Sequence, residues 1–226
     1  EASYQGTLDS RQTYLNEMAQ LFTDNSNNSM AESLNSFWQS WNTAAQNPED
    51  TAIRGMVINE ATYLTKAINN KMSSLDDMTN RVNQDIRNMT DEINSYLNQL
   101  AKLNDDIVKS VGSSVETNLI MDKKDQILDK LSSLVDIQVD SDIKNSVNVY
   151  IDGKQVVAGK TALPISIREN ADHSYDVLSS TGEEMNIADG QLRGLLEVKH
   201  EIIPEYSNQM DEWAQNFMSE VNNVHK

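Results

Sequence analysis

Cysteine is absent from the 226 residues. That excludes disulfides, thiolate metal sites and a cysteine nucleophile, and it leaves the redox compartment open. Proline and glycine are scarce, at 3 and 8 residues, so long uninterrupted helices are permitted. Positive charge is in short supply: 18 Lys and Arg stand against 35 Asp and Glu, a net charge of −17. A chain this acidic repels nucleic acid and anionic lipid, so neither is an expected partner. No apolar run is long enough to span a bilayer, and no membrane partner is expected. No charged-then-apolar leader opens the sequence, so a Sec-type signal peptide is not expected.

What is present is chain enough for one or two domains with a sizeable core. Asparagine is abundant, with 25 residues. It is a mediocre helix former, so helices here must be held by packing more than by propensity. Composition bias is the preferred reading of that abundance.

Residues 1–28 are polar and end in Asp24-Asn25-Ser26-Asn27-Asn28, which reads as a loop, with Ser29 a helix N-cap. Met30, Leu34, Phe37, Trp38, Trp41 and Ala45 then recur at spacings of three and four, one apolar helical face that Asn47-Pro48 should end. From Asp50 to Val111 there is no Pro and one Gly. Leu75, Met78, Val82, Ile86, Met89, Ile93, Tyr96, Leu97, Leu100, Leu103, Ile107 and Val111 keep the same spacing, the pattern of a coiled-coil seam or bundle helix. Unbroken, such a segment spans roughly 93 Å, so a rod is expected. Val111-Gly112-Ser113-Ser114 breaks it, and a further helix is expected from about Glu116 to Val135.

The period then changes to two. Val135, Ile137 and Val139 alternate with polar residues, as do Val147, Val149 and Ile151. Asp152-Gly153 is a hairpin turn signal. Short strands are expected around Ile165, Tyr175 and Met185, with turns at Glu169-Asn170 and Thr181-Gly182. Helix returns at Gln191, with Pro204 kinking it or marking its first turn. The pattern predicts an α+β chain: a long-helix bundle or rod with a small inserted, mostly-β domain. The expected divisions are 1–135, 136–189 and 190–226. Because the periodic pattern runs into the final residue and the start is equally abrupt, a fragment of a longer protein is expected.

The expected core takes Leu34, Phe37, Trp38 and Trp41 from the first amphipathic helix. Met78, Val82, Met89, Ile93, Leu100 and Ile107 come from the long helix, and Ile127 and Leu131 from the next. Met210, Trp213 and Phe217 come from the last. The aromatic stripes of the first and last of these should meet. The Leu75–Val111 seam should pack against the helix from Leu192 to Val224.

No catalytic, metal or cofactor site is expected. Four residues on from His173, His200 or His225 there is neither a second His nor a carboxylate. His200-Glu201 lacks the second His of a zincin motif, and no Gly-x-Ser-x-Gly elbow exists. Asp140-Ser141-Asp142 resembles a calcium loop but has Asn145 and Ile151 where Gly and Glu are needed.

Three stretches resemble a known family. Phe37-Trp38-Gln39-Ser40-Trp41 followed by Asn47-Pro48-Glu49-Asp50 is one. Asp122-Lys123-Lys124-Asp125-Gln126-Ile127-Leu128 leading to Leu131-Ser132 is the second. Gly190-Gln191-Leu192-Arg193-Gly194-Leu195, with Ile203-Pro204-Glu205-Tyr206 and Val221-Asn222-Asn223, is the third. In this order they resemble the flagellar hook-associated proteins, in particular the family at the hook–filament junction, and cover most of the chain. Lys124 stands where that family has Arg, and Lys199-His200 where it has Arg-Asp. The resemblance implies a flagellin-like helical domain and a secreted structural subunit of the bacterial flagellum, with no enzymatic activity and no cofactor. It implies as partners identical subunits in a ring, hook protein, the adjacent junction protein, and an export chaperone at a terminus outside this sequence. The fragment itself is expected to be a monomer, since like-charged subunits repel. Flagellin or another axial protein is one alternative, and a non-flagellar adaptor or signalling rod another.

Overall fold

The fold is seen in a computed structural model that describes residues 1–23, 29–109, 114–141 and 146–224. The expected loop at 24–28, the break at 111–113, most of the calcium-like segment and His225 lie outside the described residues. Six α-helices and seven short strands follow in the order α1 (Ala2–Phe22), α2 (Met30–Gln46), α3 (Thr51–Lys109), α4 (Ser114–Leu134), β1 (Gln138–Ser141), β2 (Val147–Ile151), β3 (Lys154–Ala158), β4 (Thr161–Ala162), β5 (Ser166–Glu169), β6 (Tyr175–Leu178), β7 (Glu184–Met185), α5 (Gln191–Glu197) and α6 (Ile203–Val224). A five-residue π-helical turn, Val198–Ile202, joins α5 to α6. The class is α+β, as the periodicities imply.

Local chemistry sets the helix ends. The Ser29 hydroxyl accepts from the Glu32 amide at 3.1 Å and caps α2. Asn47-Pro48 closes that helix. Asp50 then caps α3, its Oδ1 accepting from Ala52 N at 2.8 Å and Ile53 N at 3.3 Å. Helix α1 runs through the segment expected to be merely polar. Its inward stripe is thin, built on Gly6, Thr7, Tyr14 and Met18. Two large apolar residues in three turns leave little periodic signal.

The strands form two antiparallel sheets, β1-β2-β3-β4 and β5-β6-β7. Asp152 and Gly153 both have positive φ, 49° and 68°, between paired Ile151 and Lys154. Two such residues in a two-residue loop make the type I′ hairpin that Asp-Gly favours. In β2 the residues Val147, Val149 and Ile151 point inward. Strand β1 departs from the expected alternation. It is exposed along its length, because among the described residues it is an edge strand that pairs with β2 alone.

By its contacts the chain divides into two compact units. The first comprises Glu1–Tyr14 and Arg81–Pro204 and holds all the strands. Its core includes Val82, Ile86, Ile93, Leu97, Leu131, Val149, Val157 and Leu192. The second comprises Leu15–Asn80 and Glu205–Lys226, with Met18, Phe37, Leu64, Leu75, Met78 and Met210 buried. The first unit thus holds 136–189 together with α4, α5 and the later part of α3.

Candidate functional site

In the first unit, α3 grips both sheets through two asparagines. The buried Asn104 donates from Nδ2 to Val147 O at 2.8 Å and also bonds Gly159 O, and its Oδ1 accepts from Val147 N at 2.9 Å. Asn94 repeats the arrangement at the other sheet: Nδ2 to Ile165 O and Ile165 N to Oδ1, both 2.9 Å. Each side-chain amide imitates a strand partner, satisfying one residue's N–H and C=O together. These groups lie where β2 begins and just before β5, so each sheet is pinned to the helix at a strand entrance. Composition bias therefore does not account for these two asparagines.

A second grip centres on the buried Tyr175. Its hydroxyl accepts from Arg87 of α3 at 2.8 Å, and its amide donates to His200 Nε2 at 2.8 Å. Lys199 Nζ sits over the ring, 4.4 Å from its centroid. Lys199 and His200 both belong to the π turn. Pro204 supplies no N–H at the start of α6, and the Ile203 amide reaches back to Val198 O, the wider π spacing. The widened turn aims successive side chains at one tyrosine. Burial pushes the Lys199 amine below its usual pKa, partly offset by Glu169. Desolvation, and then Lys199, push the His200 imidazole down. A neutral His200 is what accepting from the Tyr175 amide requires.

Around this clasp, Glu169 pairs with Arg87 at 3.5 Å and with His173 at 3.1 Å. The hydrogen bond from His173 holds the Glu169 carboxyl below its ordinary range. Glu169 stands four residues before His173, across a hairpin rather than along a helix, so the pair is not a helical metal spacing. Among the described residues no three metal-ligating side chains converge. Arg168 pairs with Asp176 and lowers that carboxyl.

The second unit holds the aromatic cluster. Phe217 of α6 meets Phe37 edge-on at 5.4 Å and Trp38 at 5.8 Å, and stacks on Trp213 at 5.5 Å and 6°. Trp41 lies 5.7 Å from Phe37. Phe22 of α1 stacks on Tyr206 of α6. Of the expected core, Phe37, Met78, Val82, Ile93, Leu100, Ile107, Leu131 and Met210 are buried. Leu34, Trp38, Trp41, Met89, Ile127, Trp213 and Phe217 are half-buried.

Sequence reasoning did not single out Thr7, Gly6, Asn94 or Asn104, and it placed Tyr175 only as a strand residue. Thr7 donates its hydroxyl to Gly190 O at 3.1 Å and accepts from Gly190 N at 2.8 Å, joining α1 to the start of α5. The available signal was the pair of small residues Gly190 and Gly194, four apart, against Gly6-Thr7. Lys124 is buried and 3.7 Å from Asp125, a single-point contact in place of an Arg fork.

The family model "Flagellar hook-associated protein FlgK helical domain" matches residues 15–226. The chain is 27% identical over 213 residues to Flagellar hook-associated protein 1 of Escherichia coli, covering 89% of this chain and 39% of that protein. Against the protein of the same name from Salmonella typhimurium it is 27% identical over 230 residues, 96% of this chain and 41% of the relative. It therefore spans about two fifths of those relatives. A solved structure described as the flagellar hook junction protein FlgK from Burkholderia pseudomallei has a similar fold, with a TM-score of 0.71 at 23% identity over 87% of this chain and 37% of that one.

Proposed function

The chain belongs to the flagellar hook-associated protein FlgK helical-domain family, and from that premise we propose that it is part of a structural subunit joining hook to filament in the bacterial flagellum. The family match across residues 15–226 carries the reading. It acts by packing against neighbouring subunits, without chemistry. Helices tied to a small β unit by buried amides and a tyrosine clasp are suited to bearing load, since such contacts leave few ways to yield without breaking a satisfied polar group.

The finer partners belong to the same reading. Identical copies form a ring, hook protein lies on one side and the adjacent junction protein on the other, and an export chaperone acts on a terminal segment outside this sequence. The parent protein is secreted through the flagellar channel. A chain without cysteine passes such a channel with no disulfide to reduce.

A strain lacking the parent gene tests this. It should build hooks without attached filaments and release filament protein into the medium, and restoring the gene should restore filaments. Normal filaments on the hooks of the deletion strain would overturn the reading.

A further inference from the structure

In the first unit α3 and α4 flank an open groove, lined on one side by Tyr96, Lys102 and Leu103 and on the other by Lys123, Ile127 and Lys130. We propose that this groove docks an acidic amphipathic helix of about three turns from another protein chain.

Charge is the first argument. Only 18 residues of this −17 chain are basic, yet three lysines converge on this groove. All three are exposed, and among the described residues none makes an ion pair. One carboxylate, Asp106, also lines it, which leaves the groove positive on an acidic molecule. Lys130 lies over the Tyr96 ring, 5.9 Å from the centroid, which holds its ammonium at the rim.

Apolar surface is the second. Leu103 and Ile127 are half-buried in the groove. Leu119, 56% exposed, stands four residues before Lys123 and so on the same face of α4. The face thus alternates lysine rim and apolar floor, which matches a helix with an acidic rim and an apolar stripe. Shape is the third. The wall from Tyr96 to Asp106 is roughly 15 Å long at helical rise, and a trough between two helices accepts a third by ridge-and-groove packing. A nucleic acid or an anionic membrane fits less well. Neither uses the apolar floor, Leu103 and Ile127, that an apolar stripe would cover.

The probes are three synthetic 14-residue helical peptides: one with a Leu stripe and Glu rim, one with Lys for Glu, and one with Ala for Leu. Binding to the 226-residue chain is followed by fluorescence anisotropy and by ¹⁵N–¹H shift mapping. The Glu/Leu peptide should bind, move resonances of 96–106 and 119–130, and weaken with added salt. The Lys/Leu peptide should not bind, and the Glu/Ala peptide should bind at least about tenfold more weakly. Lys102→Glu/Lys123→Glu/Lys130→Glu should cost about tenfold or more, with circular dichroism confirming the fold. Should that variant not fold, Lys123→Gln and Leu119→Ser singly should each weaken binding. Absence of binding, shifts elsewhere, or equal binding of the Glu/Ala peptide, of a single-stranded oligonucleotide or of phosphatidylserine vesicles would overturn the proposal.

Discussion

The amide of Asp136 donates to the carbonyl of Asp189 at 3.0 Å, so the segment between them leaves and re-enters the helical part at one point. Around this neck, Gly190 N donates to Ser3 O, also at 3.0 Å. A segment whose ends already touch can be cut out without dragging its flanks apart. We propose that 136–189 is an insertion in this sense. Replacing 137–188 with a short Gly-Ser linker should keep the helical circular dichroism. It should also lower the melting temperature, because Leu97 and Ala101 share an α3 face with Asn94 and Asn104 and lose their cover. Collapse of the helical signal would refute the insertion.

The grip of Asn104 on Val147 predicts a large penalty for a small change. Asn104→Ala leaves the Val147 N–H and C=O without their partner in a buried setting. An unsatisfied buried group costs about 1–3 kcal/mol, so a loss of about 3 kcal/mol in urea unfolding is expected. The exposed Asn98, whose amide bonds only Asn94 O one turn back, is the control. Asn98→Ala should stay within about 0.5 kcal/mol. Equal effects at the two positions would remove the special status of Asn104.

This contrast marks what the sequence could express. The Ser29 cap, the Pro48 stop and the Asp152-Gly153 hairpin were legible because their causes lie within a few residues. The two asparagine grips were not. Asn104 meets its partner 43 residues on, and Asn94 meets one 71 residues on, and nothing local distinguishes them from 23 other asparagines. Pro204 signalled an irregular helix, but the π turn takes its meaning from Tyr175 in a distant strand. The aromatic stripes of α2 and α6 were legible as stripes. Their partial exposure was not, since periodicity shows which side is apolar and not how deeply it is covered.

Partial exposure grades the aromatic cluster. Phe37 is 3% exposed and touches Trp38, Trp41 and Phe217, so Phe37→Ala should cost about 3–5 kcal/mol. Trp213 is half-buried and stacks on Phe217. Trp213→Ala should cost about half as much, since less area returns to water. Chemical denaturation read by tryptophan fluorescence tests the order. A Trp213→Ala cost matching that of Phe37→Ala would show the cluster to be tighter than these exposures imply.

The His200 acceptor makes stability depend on pH. Its pKa is depressed in the folded chain by desolvation and by Lys199, with Asp172, Asp176 and Glu201 acting oppositely. Between that depressed value and the unfolded value near 6.5, the unfolded chain binds more protons. Stability should therefore rise with pH through this window and fall on acidification below about 6.5. Because part of the ring is wet, the slope should be well under the roughly 1.4 kcal/mol per pH unit of a full proton. The lowered carboxyls Asp152, Glu169, Asp172 and Asp176 add their losses only at lower pH. Urea midpoints from pH 7.5 to 5 should flatten in His200→Gln. An unchanged slope in that variant would clear His200 of the effect.

Two glycines in helices should answer the same substitution with opposite signs. Alanine favours a helix interior over glycine by about 1 kcal/mol. At Gly55 of α3 an added Cβ meets nothing within 4 Å, so Gly55→Ala should stabilise by about that amount. At Gly6 of α1 the same atom would lie 2.2 Å from Ser133 O and 3.1 Å from Gln191 N. Both are backbone atoms that no rotamer can move aside. Helix α1 must then back away from the end of α4 and the start of α5, and the Thr7 bonds to Gly190, one residue along, would lengthen. Overpacking of this kind costs about 1–3 kcal/mol, which outweighs the gain in propensity. Gly6→Ala should thus be destabilising in urea unfolding while Gly55→Ala is stabilising. A stabilising Gly6→Ala would mean that α1 does not approach the neck of the insertion as closely as these distances require.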